Sequence, residues 1–121
     1  MGYVRGVGGY ALNINKIADE TFNTAKARGF YNGYISIHDL ARCLDSENTE
    51  MVQAYLRGDY SGGSDSLDME LIDRLIVCLS DLHYFGIDIK KMLRKKMRIN
   101  RQRAGIKETI FDKIKYLLYR V

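Results

Sequence analysis

The sequence predicts an all-α protein. Apolar residues recur three and four positions apart in segment after segment, no stretch of any length shows a strand pattern, and proline is absent, so nothing of that kind interrupts long helices. There is no internal repeat. A chain of 121 residues with 46% hydrophobic and 28% charged content fits one compact domain, residues 1–121, with a real core.

The elements follow in order. Residues 1–12 open as a glycine-rich, flexible segment. Asn13 caps a first helix in which Ile14, Ile17, Ala18, Phe22 and Ala25 keep helical spacing, ending near Gly29. Phe30 and Tyr31 open a loop. A second helix runs from about Ser36 to Arg57 on a stripe of Ile37, Leu40, Ala41, Leu44, Met51 and Tyr55, and Gly58 stops it. Asp59 to Ser66 is turn chemistry, and Ser66 or Asp68 caps a third helix reaching Phe85, with Gly86 as its stop. Leu67, Leu71, Leu75, Cys78, Leu79 and Leu82 are its expected core stripe. A fourth helix spans about Asp88 to Gln102. After Ala104-Gly105, a fifth, amphipathic piece covers 107–121, with Ile110, Phe111, Ile114, Leu117, Leu118 and Val121 on one side and lysines on the other.

Composition excludes several classes. No apolar run approaches the roughly 20 residues that cross a bilayer, and Met1 to Tyr10 lacks the apolar core of a signal peptide, so a cytoplasmic protein without a membrane partner is expected. Cys43 and Cys78 sit apart, without a Cys-x-x-Cys or Cys/His spacing, and read as small buried apolar residues. The net charge of +4 is modest, but much of the excess lies between Lys90 and Arg103.

Four carboxylates are the chemical signal. Glu47 and Glu50 lie three apart in the second helix, as do Glu70 and Asp73 in the third, so each pair shares a helix face. The short polar connection from Gly58 to Ser66 makes the two helices antiparallel neighbours. No lysine or arginine stands four residues from Glu47 or Glu50 to neutralise them. Facing one another, the four acids would raise each other's pKa unless cations intervene. Hard carboxylate oxygens suit Mg2+ or Mn2+, and Mg2+ binds through a few carboxylates together with substrate phosphates.

The cations supply a second signal. Lys96, Asn100 and Arg103 fall at i, i+4 and i+7, a face able to grip phosphates and orient a sugar, although the same spacing fits a solvated basic helix. Arg28 carries the same two readings. Among the nine tyrosines, Tyr31 in its loop is the stacking candidate, whereas Tyr55 and Tyr116 read as core. His38 and His83 have no partner at a useful spacing. Gly6-Val7-Gly8-Gly9 lacks the Lys-Ser/Thr ending of a phosphate loop, and no serine sits in a nucleophile elbow.

In this order the pieces resemble the MazG-like family of all-α nucleoside triphosphate pyrophosphohydrolases, whose signature is Glu-x-x-Glu, a variable loop, then Glu-x-x-Asp. Glu47, Glu50, Glu70 and Asp73 match it. Ala27-Arg28-Gly29-Phe30-Tyr31 resembles the family's Lys-Gly-Phe-Trp stretch, Phe85-Gly86-Ile87-Asp88-Ile89 its Leu-Gly-Ile-Asp, and Lys96 to Arg103 its Lys-Met-x-x-Asn-x-x-Arg. The resemblance covers roughly 13–103. It implies a four-helix bundle and metal binding by Glu47, Glu50, Glu70 and Asp73; the additional C-terminal helix at 107–121 lies beyond the resemblance. It further implies substrate contacts from Lys96, Asn100, Arg103, Arg28 and Tyr31, a dimer or tetramer whose subunits complete the pocket, and cleavage of nucleoside triphosphates between the α and β phosphates.

Departures accompany the match. Ser46 stands where many members double the first acid, and Val77 and Ser80 stand where many carry arginine and aspartate, Asp81 lying about 80° from Asp73's face. Tyr31 replaces tryptophan. Two other functions compete: a basic helical protein binding nucleic acid through Lys90, Lys91, Arg94, Lys95, Arg98, Arg101 and Arg103, and a catalytically weakened relative that only binds nucleotides. The first is disfavoured because its charges scatter around the helix.

Overall fold

The computed structural model describes residues 12–119. Five helices account for its regular structure: α1 (Ile14–Ala27), α2 (Ile37–Arg57), α3 (Leu67–Tyr84), α4 (Ile89–Arg103) and α5 (Ile110–Tyr119). The protein is all-α, and no described helix is long and apolar enough to cross a membrane. Of the expected flexible start at 1–12, residues 1–11 lie outside the described range, as does Val121 of the C-terminal stripe.

Local chemistry sets the helix ends close to where the sequence puts them. The Asn13 side chain accepts from the Asn15 and Lys16 amides at 3.1 and 3.3 Å, opening α1. Ser36 and Asp39 form a reciprocal capping box at the start of α2. α5 begins three residues later than expected. Thr109 caps it, its hydroxyl accepting from the Asp112 amide at 3.1 Å while the Asp112 carboxylate accepts from the Thr109 amide at 3.0 Å.

α3 is the hub. α1 and α2 both pack along it but do not touch each other, α4 touches α1 and α3 only, and α5 touches α4 only. The core joins Ala18 of α1, Leu79 of α3 and Ile89 of α4, with Ile14, Ile17 and Leu82 packed against them. Close approach of α1 to α3 is permitted by small residues, and buried Ser80 donates to Thr21 Oγ1 at 3.0 Å. The Asn15 side chain ties the starts of α1 and α4, donating to Asp88 Oδ1 and accepting from the Lys90 amide, both at 3.0 Å. Arg98 with Glu108, and Arg101 with Asp112 at 3.1 Å, pin α5 to α4.

This arrangement corrects part of the expected core. Leu71 and Leu75 of α3 are 44% and 51% exposed, Tyr55 of α2 is 60% exposed, Cys78 is exposed and Cys43 only half-buried. The reason is topological: α3 has neighbours on two sides, and no described helix covers the third. The side chain of Tyr116 lies outside the described set.

Candidate metal centre

Gly58 in the left-handed region (φ 66°) ends α2 and turns the chain back. The Leu67 amide then donates to the Asp59 carbonyl at 2.8 Å, and Arg57 Nη2 to the Asp65 carbonyl at 2.9 Å, locking the end of α2 to the start of α3. Buried Ser66 donates to the Gly63 carbonyl at 2.7 Å. The two helices thus run antiparallel with their acid pairs level.

Glu47, Glu70 and Asp73 come together, each offering a carboxylate oxygen within 4.8 Å of the other two. Glu70 is only 6% exposed, and Glu47 and Asp73 are half-buried. Oε2 of Glu47 and Oε2 of Glu70 are buried with no hydrogen-bond partner. Burial, then the neighbouring Glu50 and Asp73, pushes both carboxyls above their ordinary range. Glu50, exposed at the mouth, lies outside that mutual 4.8 Å set but is close enough to bear on both Glu47 and Glu70. Beyond it opens a polar cavity of about 430 Å3 lined by Glu50, Gln53, Arg57, Asp59, Asp65, Glu70 and Asp73.

A divalent cation fits this donor set. Three hard oxygens converge, two of the carboxylates hold an oxygen that nothing satisfies, and no basic side chain forms an ion pair with any of the three among the described residues.

The other expected site residues lie elsewhere. Lys96, Asn100 and Arg103 are exposed on α4 and belong neither to the triad nor to the lining of the cavity. Arg28 is exposed at the end of α1, its guanidinium 5.9 Å from the centre of the Phe30 ring. Tyr31 is no free stacking surface. It adopts a left-handed backbone (φ 59°), and its ring lies 4.8 Å from Phe22 and 5.2 Å from Tyr84, stacked on the latter. Its hydroxyl donates to Asp81 Oδ1 at 2.6 Å, and burial and that carboxylate push its pKa far up.

Asp81 accepts from Tyr31 and belongs neither to the triad nor to the cavity lining. Sequence reasoning missed part of the cavity wall. Asp59 and Asp65, read as turn residues, line the cavity, and Arg57 is its one basic lining residue. Their polar loop composition carries no signal of that role. Compared with protein families, characterised proteins and solved structures, the chain matches none of them.

Proposed function

We propose that this chain is a Mg2+-dependent pyrophosphohydrolase of the MazG-like type, cleaving (deoxy)nucleoside triphosphates between the α and β phosphates into a nucleoside monophosphate and pyrophosphate. The observation that carries the reading is the buried acid triad with its two unsatisfied oxygens, opening into a cavity large enough for a polyphosphate. The ordered motifs from Arg28 to Arg103 add to it, and the resemblance supplies the four-helix bundle as the architecture.

Glu47, Glu70 and Asp73 hold the metal in this reading, with Glu50 at the mouth as the fourth acid. Bound Mg2+ would neutralise phosphate charge and lower the pKa of water. The chain's own groups do the rest. Glu47 or Glu50 orients the attacking water and takes its proton, and Arg57 at the cavity wall offers a guanidinium to phosphate oxygens. Lys96, Asn100 and Arg103 enter only across an interface between copies.

The test is pyrophosphate release by wild type and Glu70→Gln across the dNTPs, the NTPs and a few modified nucleotides, with melting temperature followed as Mg2+ or Mn2+ is added. Turnover and a metal-induced rise in melting temperature are expected in wild type, and neither in the variant. A wild type that neither turns over any nucleotide nor responds to either metal overturns the reading.

A further inference from the structure

α5 turns its apolar side away from the rest of the molecule. Counting about 100° per residue from Ile110 places Leu117, Ile114, Leu118 and Phe111 between roughly −20° and 100°, one stripe along a helix about 15 Å long. Ile110, Phe111, Ile114, Leu117 and Leu118 are 70%, 79%, 48%, 58% and 72% exposed. Asp112 lies on the opposite side, at roughly 200°. There it holds Arg101 of α4 at 3.1 Å, and with Arg98 and Glu108 beside it the pair fixes the helix polar side inward. α5 touches no described element except α4, so nothing in the described chain covers the stripe.

Two features separate this stripe from the other exposed apolar side chains. Lys113 and Lys115 flank it, each roughly 40° beyond one edge. Both are exposed and form no ion pair among the described residues. The stripe also lies in the basic part of the chain, where residues 89–121 carry twelve lysines and arginines against two acids. The exposed apolar side chains of α2 and α3 share their helices with the acid pairs instead, within residues 12–88, which carry thirteen acids against six basic residues. An anionic surface is repelled there and drawn to α5.

We propose that α5 docks the protein on an anionic lipid membrane, its apolar stripe entering the boundary between headgroups and acyl chains. A helix that lies in a membrane surface needs an apolar face, cations along the edges of that face, and a polar back, and α5 has all three. The lysine stems at the edges can run along apolar surface while their ammonium groups reach lipid phosphates and carboxylates. Nucleic acid fits less well, because its phosphates match the lysines but leave Ile110, Leu117 and Leu118 in water. A second copy fits less well again, because α5 against α5 would bring two strongly basic regions together.

The division of charge also orients the chain. Residues 12–88 are pushed away from an anionic bilayer and residues 89–121 are pulled toward it, so the field of the surface presents α5 first. α5 makes no contact with α2 or α3, so docking leaves the acid cavity as it is. No described helix is long and apolar enough to cross the bilayer, and a ten-residue interfacial helix gives reversible attachment.

The inference is independent of the pyrophosphohydrolase reading, because its test reads lipid binding without turnover. The full chain is cosedimented with phosphatidylcholine vesicles that contain or lack phosphatidylserine, beside a Phe111→Trp variant that adds an indole to a chain with none. Both proteins are expected to bind the phosphatidylserine vesicles and not the pure phosphatidylcholine ones. The indole emission should shift to the blue on binding and be quenched by lipids brominated on their acyl chains. Lys113→Gln and Lys115→Gln should each lower the affinity by roughly fivefold. Phe111→Ser combined with Leu118→Ser should lower it by more than about tenfold, with helicity followed by circular dichroism. If that double variant loses its helix, the emission of Phe111→Trp still decides the question. Absence of binding to phosphatidylserine vesicles overturns the proposal. So does binding that the double serine variant retains in full, or an indole that lipid does not shift, since either leaves only a general polyanion surface such as nucleic acid would occupy. An indole already shielded before lipid is added overturns it as well, because the chain itself or a second copy then covers the stripe.

Discussion

Burial decides which of the four acids carries most consequence. Glu70, nearly enclosed, and Glu47, half-enclosed, hold their protons to higher pH in the folded chain than the ordinary 4.5 of a free glutamate. Their contribution to stability is therefore complete below that value and is lost as pH rises through the folded-state values. Without metal, wild type should lose melting temperature across this window, and Glu70→Gln, neutral throughout, should lose less and melt higher near neutral pH. Adding Mg2+ should restore the wild type at neutral pH far more than at pH 4, since metal and protons compete for the same oxygens. Differential scanning calorimetry across pH, with and without metal, checks both signs, and equal pH profiles for the two proteins would remove Glu70 from the account. At the other end of the α2–α3 seam, the Tyr31 hydroxyl supports the half-buried Asp81 carboxylate. Tyr31→Phe should cost about 1–2 kcal/mol in urea unfolding and should cost less in an Asp81→Asn background.

Helix existence and helix ends were legible because they rest on local rules: 3.6-residue periodicity, Asn13 as a cap, Gly58 and Gly86 as stops. The acid triad was legible for the same reason, since two i, i+3 pairs and one short turn largely determine where the carboxylates meet. What sequence could not supply was the side of each helix that finds a neighbour. α3 is apolar around much of its circumference, so periodicity alone cannot tell Leu79, which is buried, from Leu75, which is not. Nor does any local pattern say that α4 stays clear of α2, which is why Lys96, Asn100 and Arg103 are legible as a face yet not as part of the site. The turn at Gly58 is the element on which the acid geometry depends. A side chain there would be held at φ 66°, so Gly58→Ala should destabilise the fold by about 1 kcal/mol. It should also weaken the metal-induced rise in melting temperature, because the level of Glu47 against Glu70 is set by that turn; an unchanged metal response would show that helix packing alone fixes it.

Charge is divided along the molecule as sharply as structure is. Residues 89–121 carry twelve lysines and arginines against two acids, whereas residues 12–88 carry thirteen acids against six basic residues. A polyphosphate approaching the acid cavity is therefore repelled unless metal accompanies it, while any polyanion is drawn to α4 and α5. Two of the α4 arginines are already occupied by Glu108 and Asp112. Lys91 and Lys95 are exposed and form no ion pair among the described residues, so they should dominate nonspecific polyanion attraction. Neutralising both should reduce the slope of log affinity against log salt for single-stranded DNA by roughly 1.4, about 0.7 per charge removed. The same change should leave pyrophosphate release and the Mg2+-induced stabilisation unaltered, because no residue of α4 lines the acid cavity. If pyrophosphate release falls together with DNA affinity, the basic half is part of the catalytic unit and reaches the acids across copies. If DNA binding proves tight and neither nucleotide nor metal has any effect, the two halves exchange roles, and the basic helices become the functional surface of the protein.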